Sequence, residues 1–353
     1  MLLLGGYGWC AHSPLAYTLS RNSKYCHFGY TKDMRYLEYK HSRLVFNNNK
    51  PIRQLQNIYN LLKDNSYTNW QSDIGHKMNL SIDLDPLKDF PLLHLENLLN
   101  GLTTPSKLIT FYKQLYYHIS QRGYTSVSDS FTGAFVRDPN HLHKSYFKSL
   151  QDHFDTKFIF IMRDPVRRAF SESLRHYNQF LRRNYHCDYE LSLPSYKNTS
   201  PPSKDPVLPG TTYQQFLDQN QWSTGFRNID YIGNLLKAQK IFGKNQVHCA
   251  IMEELWEGTD GTSSLSQFLD HPIDNLWSNA YAPDTGHLIQ SSPDSPCQAT
   301  GQHLQELTPT LYYKIKVILQ STYDNYQSHF GSLPLFWGEP LKYPEGKPLT
   351  TTA

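Results

Sequence analysis

Lys157-Phe-Ile-Phe-Ile-Met-Arg163-Asp-Pro165-Val-Arg-Arg168-Ala-Phe-Ser171-Glu-Ser-Leu-Arg175-His176-Tyr177 carries more structural information than any other stretch of this chain. Phe158 to Met162 is a short apolar run, β-branched in part, of the length expected for a buried parallel strand. Pro165 suits the first turn of a helix, where its missing N–H costs nothing. Arg163 therefore falls at the carboxyl end of a strand and at the mouth of the next helix, where open α/β sheets bind ligands. Arg168 and Ser171 are three residues apart and share a helix face. An arginine, a hydroxyl and a helix N-terminus together make a phosphate site.

Composition narrows the class. A chain of 353 residues can bury a large core as one α/β domain, or as a domain with a sizeable insertion. A net charge of +3 is too small to argue for a nucleic-acid or membrane surface, so basic clusters are judged by position. Tyrosine is abundant at 25 residues, and its first expected use is core packing. The five cysteines (Cys10, Cys26, Cys187, Cys249, Cys297) are scattered, odd in number and without a C-x-x-C pair. That argues against a disulfide framework or a zinc site and for a reducing, cytoplasmic compartment. No window reaches ~18 consecutive apolar residues, and Met1-Leu-Leu-Leu-Gly5 lacks the basic flank of a signal peptide. The sequons at Asn79 and Asn198 carry little weight without such a signal.

Leu2-Leu-Leu-Gly5-Gly6 reads as a first strand running into a glycine turn, with a helix opening near Ser13 and continuing to Leu19. A strand, small residues and a helix start form a nest of N–H groups for an anion. The kinase-type P-loop, G-x-x-x-x-G-K-[ST], fits loosely, with His12 at the lysine position. Helices are expected over Gln54–Leu62, Leu108–Ile119, Leu142–Phe154 and Asp230–Phe242, and one long helix over Pro309–Phe330 stopping at Gly331. Strands are expected from Gly123 towards Phe135 and over Val247–Met252, the latter closing at Glu253-Glu254-Leu255. The breaker-rich interval from Asp83 to Pro105 reads as irregular. His76, His94 and His118 lack metal-ligand spacing.

The pattern R-x-P-x-x-R-x-x-S, filled by Arg163, Pro165, Arg168 and Ser171, resembles the 3′-phosphate-binding segment of the sulfotransferase family. The resemblance implies that Arg163 and Ser171 hold the 3′-phosphate of 3′-phosphoadenosine 5′-phosphosulfate (PAPS). The family's 5′-phosphosulfate loop, roughly G-x-x-[KR]-x-G-T-[ST]-x-L, is matched at Gly6, Ser13 and Leu15. Trp9, Cys10, Ala11, His12 and Ser13 would line it. Ala11 replaces a glycine, His12 replaces the threonine, and Trp9 stands where the family carries a cation against the leaving phosphate. A missing cation weakens stabilisation of the charge developing there.

Lys32-Asp33-Met-Arg35-Tyr36-Leu37 resembles the family's K-E-x-[HR]-[YF]-[FL] segment, which makes Asp33 the implied base for the acceptor hydroxyl. Lys32 or Arg35 would then supply the charge that Trp9 does not. Asp129 sits in a stretch resembling G-[DE]-x-[ST]-P-x-Y, with a turn-capping role equally open. Tyr231, Leu235, Phe242, Gly243, Glu253, Leu255, Phe268 and Leu269 follow the order of the family's second half, and Tyr323, Tyr326 and Trp337 that of its C-termini.

The pattern is nearest to carbohydrate or heparan-type and to prokaryotic or viral sulfotransferases. The implied fold is α/β: a three-layer, P-loop-type parallel sheet flanked by helices. It forms a single domain over 1–353, with insertion loops at about 186–212, over the acceptor cleft, and 281–301, over the nucleotide. The implied activity is sulfuryl transfer from PAPS to a hydroxyl of carbohydrate type, without a metal. Two alternatives stay open. One is a catalytically weak nucleotide- or glycan-binding protein with the same fold, supported by Trp9. The other is a P-loop kinase, which lacks its lysine and a clear magnesium-binding aspartate.

Overall fold

Among the described residues of the computed structural model, five parallel strands form one sheet, ordered β2-β3-β1-β4-β5. They are β1 (Leu2–Gly6), β2 (Tyr25–His27), β3 (Ser126–Thr132), β4 (Lys157–Met162) and β5 (Val247–Ile251). The structure describes residues 1–7, 10, 12, 15–16, 19, 25–27, 56, 58–60, 62–64, 85–100, 105–132, 141–170, 172–173, 229–257, 260–273, 307 and 309–340. The ranges 186–212 and 281–301 lie outside them. The chain divides into two compact units, Met1–Met162 with Gly233–Ala280, and Arg163–Ile232 with Tyr281–Ala353.

The first unit holds the whole sheet. Parallel neighbours need crossovers: α1 (Leu92–Leu99) and α2 (Pro105–Ser120) lie between β2 and β3, and α3 (His141–His153) between β3 and β4. Helix α4 (Tyr231–Phe242), which belongs to this unit from Gly233 onward, precedes β5, while α5 (Met252–Glu257) and α6 (Asp260–Leu269) follow β5. Helix α2 packs on β3 and α3, and α6 packs on β5. The α/β architecture expected from strand-helix alternation is therefore present. Every residue of β1 is buried, as are Phe158 to Met162 of β4, which is why both read as unbroken apolar runs.

Aromatic rings close the layer over β4. Phe158 stacks on Phe242 of α4 at 5.3 Å and 11°, and Phe242 meets Phe147 of α3 edge-on at 5.5 Å. The adjacent Gly5 is the counterpart of that packing, since a Cβ there would stand 2.2 Å from Phe158 Cζ. Gly6 is constrained twice: φ is +124°, and an added Cβ would meet the Ile161 carbonyl oxygen at 2.6 Å. In register, Gly6 lies opposite both Thr132 of β3 and Ile161 of β4, so three strands end level at the carboxyl edge.

The second unit includes helical residues 165–170, α7 (Pro309–Ile318), α8 (Gln320–Phe330) and residues 331–340. Trp337 is buried against Tyr326 at 4.6 Å, Tyr231 at 5.8 Å and Tyr323 at 6.4 Å. Thr322 donates its hydroxyl hydrogen bond to the Ile229 carbonyl at 2.9 Å.

Three local expectations differ from the structure. The interval expected to be irregular contains α1, because Pro86 and Pro91 both precede it and Leu95 and Leu98 are buried, α1 packing on α2. The expected single terminal helix is two. At Leu319 the N–H is shared between the carbonyls of Ile315 and Lys316, a tightening that ends α7 before α8 begins. Met252 to Leu255, read as strand end, instead opens α5. Gly331 does terminate α8, with φ 85° and its N–H on the Gln327 carbonyl at 2.8 Å.

Gly6→Ala combines backbone strain with a clash against main chain and is expected to cost at least about 2 kcal/mol. Gly331→Ala has positive φ and no atom within 4 Å of the added methyl, so it should cost only about 1 kcal/mol. Denaturant unfolding of both variants checks the difference. Equal losses would contradict the close approach of β1 to β4.

Candidate anion-binding site

Arg163 is the residue immediately after β4, and it is only 4 % exposed. An arginine this deep is uncommon unless its guanidinium has partners. Its backbone is held from one side, where the Tyr231 hydroxyl donates to the Arg163 carbonyl at 2.7 Å. On its other side stands Asp164, which is fully buried.

Asp164 is the N-cap of the helix that begins at Pro165. Its Oδ1 accepts the Arg167 backbone N–H at 2.9 Å, and its carbonyl accepts the Arg168 N–H at 2.9 Å. Asp followed by Pro at the first helical position is the sequence form of this cap. The cap changes the expected chemistry of the site. The Asp164 carboxylate occupies this helix N-terminus, so its N–H groups and dipole already face a negative group.

The other oxygen of the same carboxylate gathers the C-terminal part of the unit. Asp164 Oδ2 accepts from Tyr312 Oη at 2.8 Å, Tyr323 Oη at 3.0 Å and the Gly338 N–H at 3.1 Å. The two phenol oxygens are themselves 3.4 Å apart. Burial, followed by the nearby Asp164 charge, pushes both phenols well above the ordinary tyrosine value of 10.0. Two further cations tie the same tail. Arg167 donates to the Pro340 carbonyl at 2.9 Å, and Lys316 to the Gly338 carbonyl at 2.8 Å. Arg168, also buried, pairs with Glu172 at 2.8 Å. The charges of Arg167 and Arg168 are thus engaged within the unit.

In the first unit, the residues after β1 form a second polar cluster. The Asn234 side chain donates to Tyr7 Oη at 2.7 Å, and both are buried. Cys10 and His12 are buried, and His12 is helical. These two belong to the expected phosphosulfate loop. Its other members, Trp9, Ala11 and Ser13, lie outside the described residues, as do Ser171, Lys32, Asp33 and Arg35. Asp129 is placed by its backbone in β3.

Asp164, Tyr312 and Gly338 were not foreseen as site residues. An Asp-Pro helix start was the available signal for Asp164, whereas nothing local announces that Tyr312 and Gly338 converge on it. Elsewhere, burial pushes the Cys249 thiol up to about 12, with Glu254 adding to it, which leaves a poor nucleophile. Burial lowers His248 to about 4, and the ring stacks on Phe268 at 5.0 Å as a neutral packing group. Among the described residues no cluster of three or more His, Cys, Asp or Glu could hold a metal ion. No described helix is long and apolar enough to cross a membrane.

No protein-family model matches the chain, and a search of curated proteins finds no match. Among solved structures, a sulfotransferase from Alicyclobacillus acidocaldarius is similar at 13% identity and TM-score 0.44, over 94% of this chain and 96% of that one. The sulfotransferase domain of the Synechococcus PCC 7002 olefin synthase aligns at 13% identity and TM-score 0.43, over 95% of each chain. A sulfotransferase domain from the curacin biosynthetic pathway aligns at 14% identity and TM-score 0.41, over 91% of this chain and 97% of that one.

The raised phenols predict how stability varies with pH. Their folded values lie above the ordinary 10.0, so their contribution is complete below pH 10 and is lost as pH rises beyond it. Each phenol that ionises only on unfolding steepens the loss by about 1.4 kcal/mol per pH unit. Thermal unfolding between pH 8 and 11.5 should show this fall, and Tyr312→Phe with Tyr323→Phe should flatten it. An equally steep fall in the double variant would contradict the assignment.

Proposed function

We propose that this protein transfers a sulfuryl group from PAPS to a hydroxyl acceptor of carbohydrate type. One observation carries the reading: a buried arginine at the carboxyl end of a parallel strand, followed by a capped helix bearing Arg168, with Ser171 at the family's spacing in the sequence. The residues suit the donor. Arg163 offers a charge-assisted fork for a 3′-phosphate, and Ser171 offers a hydroxyl. Gly5 and Gly6 keep the end of β1 free of side chain where the main chain approaches β4. In this reading the N–H groups from Cys10 to Ser13 cradle the 5′-phosphosulfate.

When bound, PAPS supplies an activated sulfuryl group, and such a transfer depends mainly on positioning and electrostatics. Asp33 would accept the proton from the acceptor hydroxyl as that oxygen bonds to sulfur and the bond from sulfur to the 5′-phosphate oxygen breaks, releasing adenosine 3′,5′-bisphosphate. Lys32 keeps Asp33 ionised and takes on part of the cationic task left by Trp9.

Trp9 favours a second reading, a protein that binds the nucleotide or a glycan with little turnover. Incubation with labelled PAPS and a panel of monosaccharide, oligosaccharide, lipid and tyrosine-peptide acceptors separates the two. Transfer to a saccharide supports the enzyme, and tight nucleotide binding without transfer supports the binder.

Arg163→Ala should weaken adenosine 3′,5′-bisphosphate binding by about 1.5–3 kcal/mol in calorimetry, and unchanged affinity would remove Arg163 from the site. Asp33→Asn should cost roughly two to four orders of magnitude in turnover while nucleotide binding holds. Full sulfate transfer by that variant would exclude Asp33 as the base.

A further inference from the structure

The geometry points to Asp164 as a positioning residue for Arg163, through which the C-terminal segment up to Pro340 becomes part of the anion-binding machinery. The inference rests on the functional reading above and adds a dependence of that site on Tyr312, Tyr323 and Gly338. Arg163 lies between two fixed points. Its own carbonyl is held by Tyr231 at 2.7 Å, and the next residue is a buried carboxylate with donors on both oxygens. The N-cap bond at Oδ1 ties the residue next to Arg163 to the first turn of the helix. The three bonds at Oδ2, from 2.8 to 3.1 Å, make the placement of Asp164, and of the backbone of Arg163 beside it, depend on α7, α8 and the turn at Gly338. Trp337, beside Gly338, packs on Tyr231 as well as on Tyr323 and Tyr326, so both ends of the arrangement share one aromatic cluster.

A guanidinium recognises phosphate through directed N–H bonds, and small displacements of its backbone weaken that recognition. An anion on Arg163 and an intact Asp164 hub therefore favour the same arrangement, and by linkage each stabilises the other.

The test uses the full chain and adenosine 3′,5′-bisphosphate as the probe. Affinity is measured by calorimetry, well below each unfolding midpoint, for wild type, Tyr323→Phe, and Tyr312→Phe combined with Tyr323→Phe. Amide exchange at Gly338 is followed in wild type with and without the nucleotide. The expected result is a loss of affinity of about ten-fold or more in the double variant, smaller in the single one, with exchange at Gly338 slowed by the nucleotide. A purely structural hub would lower the unfolding midpoint and leave both other readouts unmoved. Variants that bind as tightly as wild type, or a Gly338 amide indifferent to nucleotide, overturn the inference and leave the functional reading standing. If the double variant does not fold, Tyr323→Phe and the wild-type exchange measurement decide. Absence of binding by wild type overturns the functional reading and this inference together.

Discussion

The buried carboxylate of Asp164 is the interaction on which the second unit depends. Taking a carboxylate out of water costs several kcal/mol, and only a full set of donors offsets it. Asp164 has four, shared between a helix start and three groups from the C-terminal segment. Because both oxygens are engaged, the helix after Asp164 and the tail ending near Pro340 cannot shift independently without leaving a buried donor unpaired. In sequence, Arg163 is the residue between that carboxylate and the end of β4.

A different constraint shapes the first unit. Phe158 lies across β1 and leaves room there only for a glycine, while Gly6 turns with positive φ against the Ile161 carbonyl. The outcome is a carboxyl edge at which β1, β3 and β4 end in register. Parallel sheets gather ligand-binding residues at that edge, because the chain leaves every strand there on its way to a helix. In sequence, the expected phosphosulfate loop follows β1 and the expected 3′-phosphate arginine follows β4.

The sheet was legible because its strands are short apolar runs separated by periodic helices. β1, β4, α2, α3 and α4 all fall within a few residues of where their patterns put them. Arg163 was legible too, since a strand end followed by proline leaves few places for it. The reading failed where long-range burial overrode local signals. The two leucines of α1 outweigh flanking prolines, and Leu319 breaks a helix whose periodicity runs straight through. Asp164 was missed as a hub for the same reason: its partners lie 148, 159 and 174 residues away. No spacing rule links them. The acidic base and the cation that Trp9 replaces rest on sequence resemblance alone.

The central claim is that Arg163 belongs to a site for a 3′-phosphorylated nucleotide. Calorimetry of the full chain with adenosine 3′,5′-bisphosphate and, separately, with ATP tests it most directly. The account predicts that the bisphosphate binds at least about ten-fold more tightly, because a charge-assisted contact to the 3′-phosphate contributes about 1.5–3 kcal/mol. Equal affinity, or tighter binding of ATP, would contradict it.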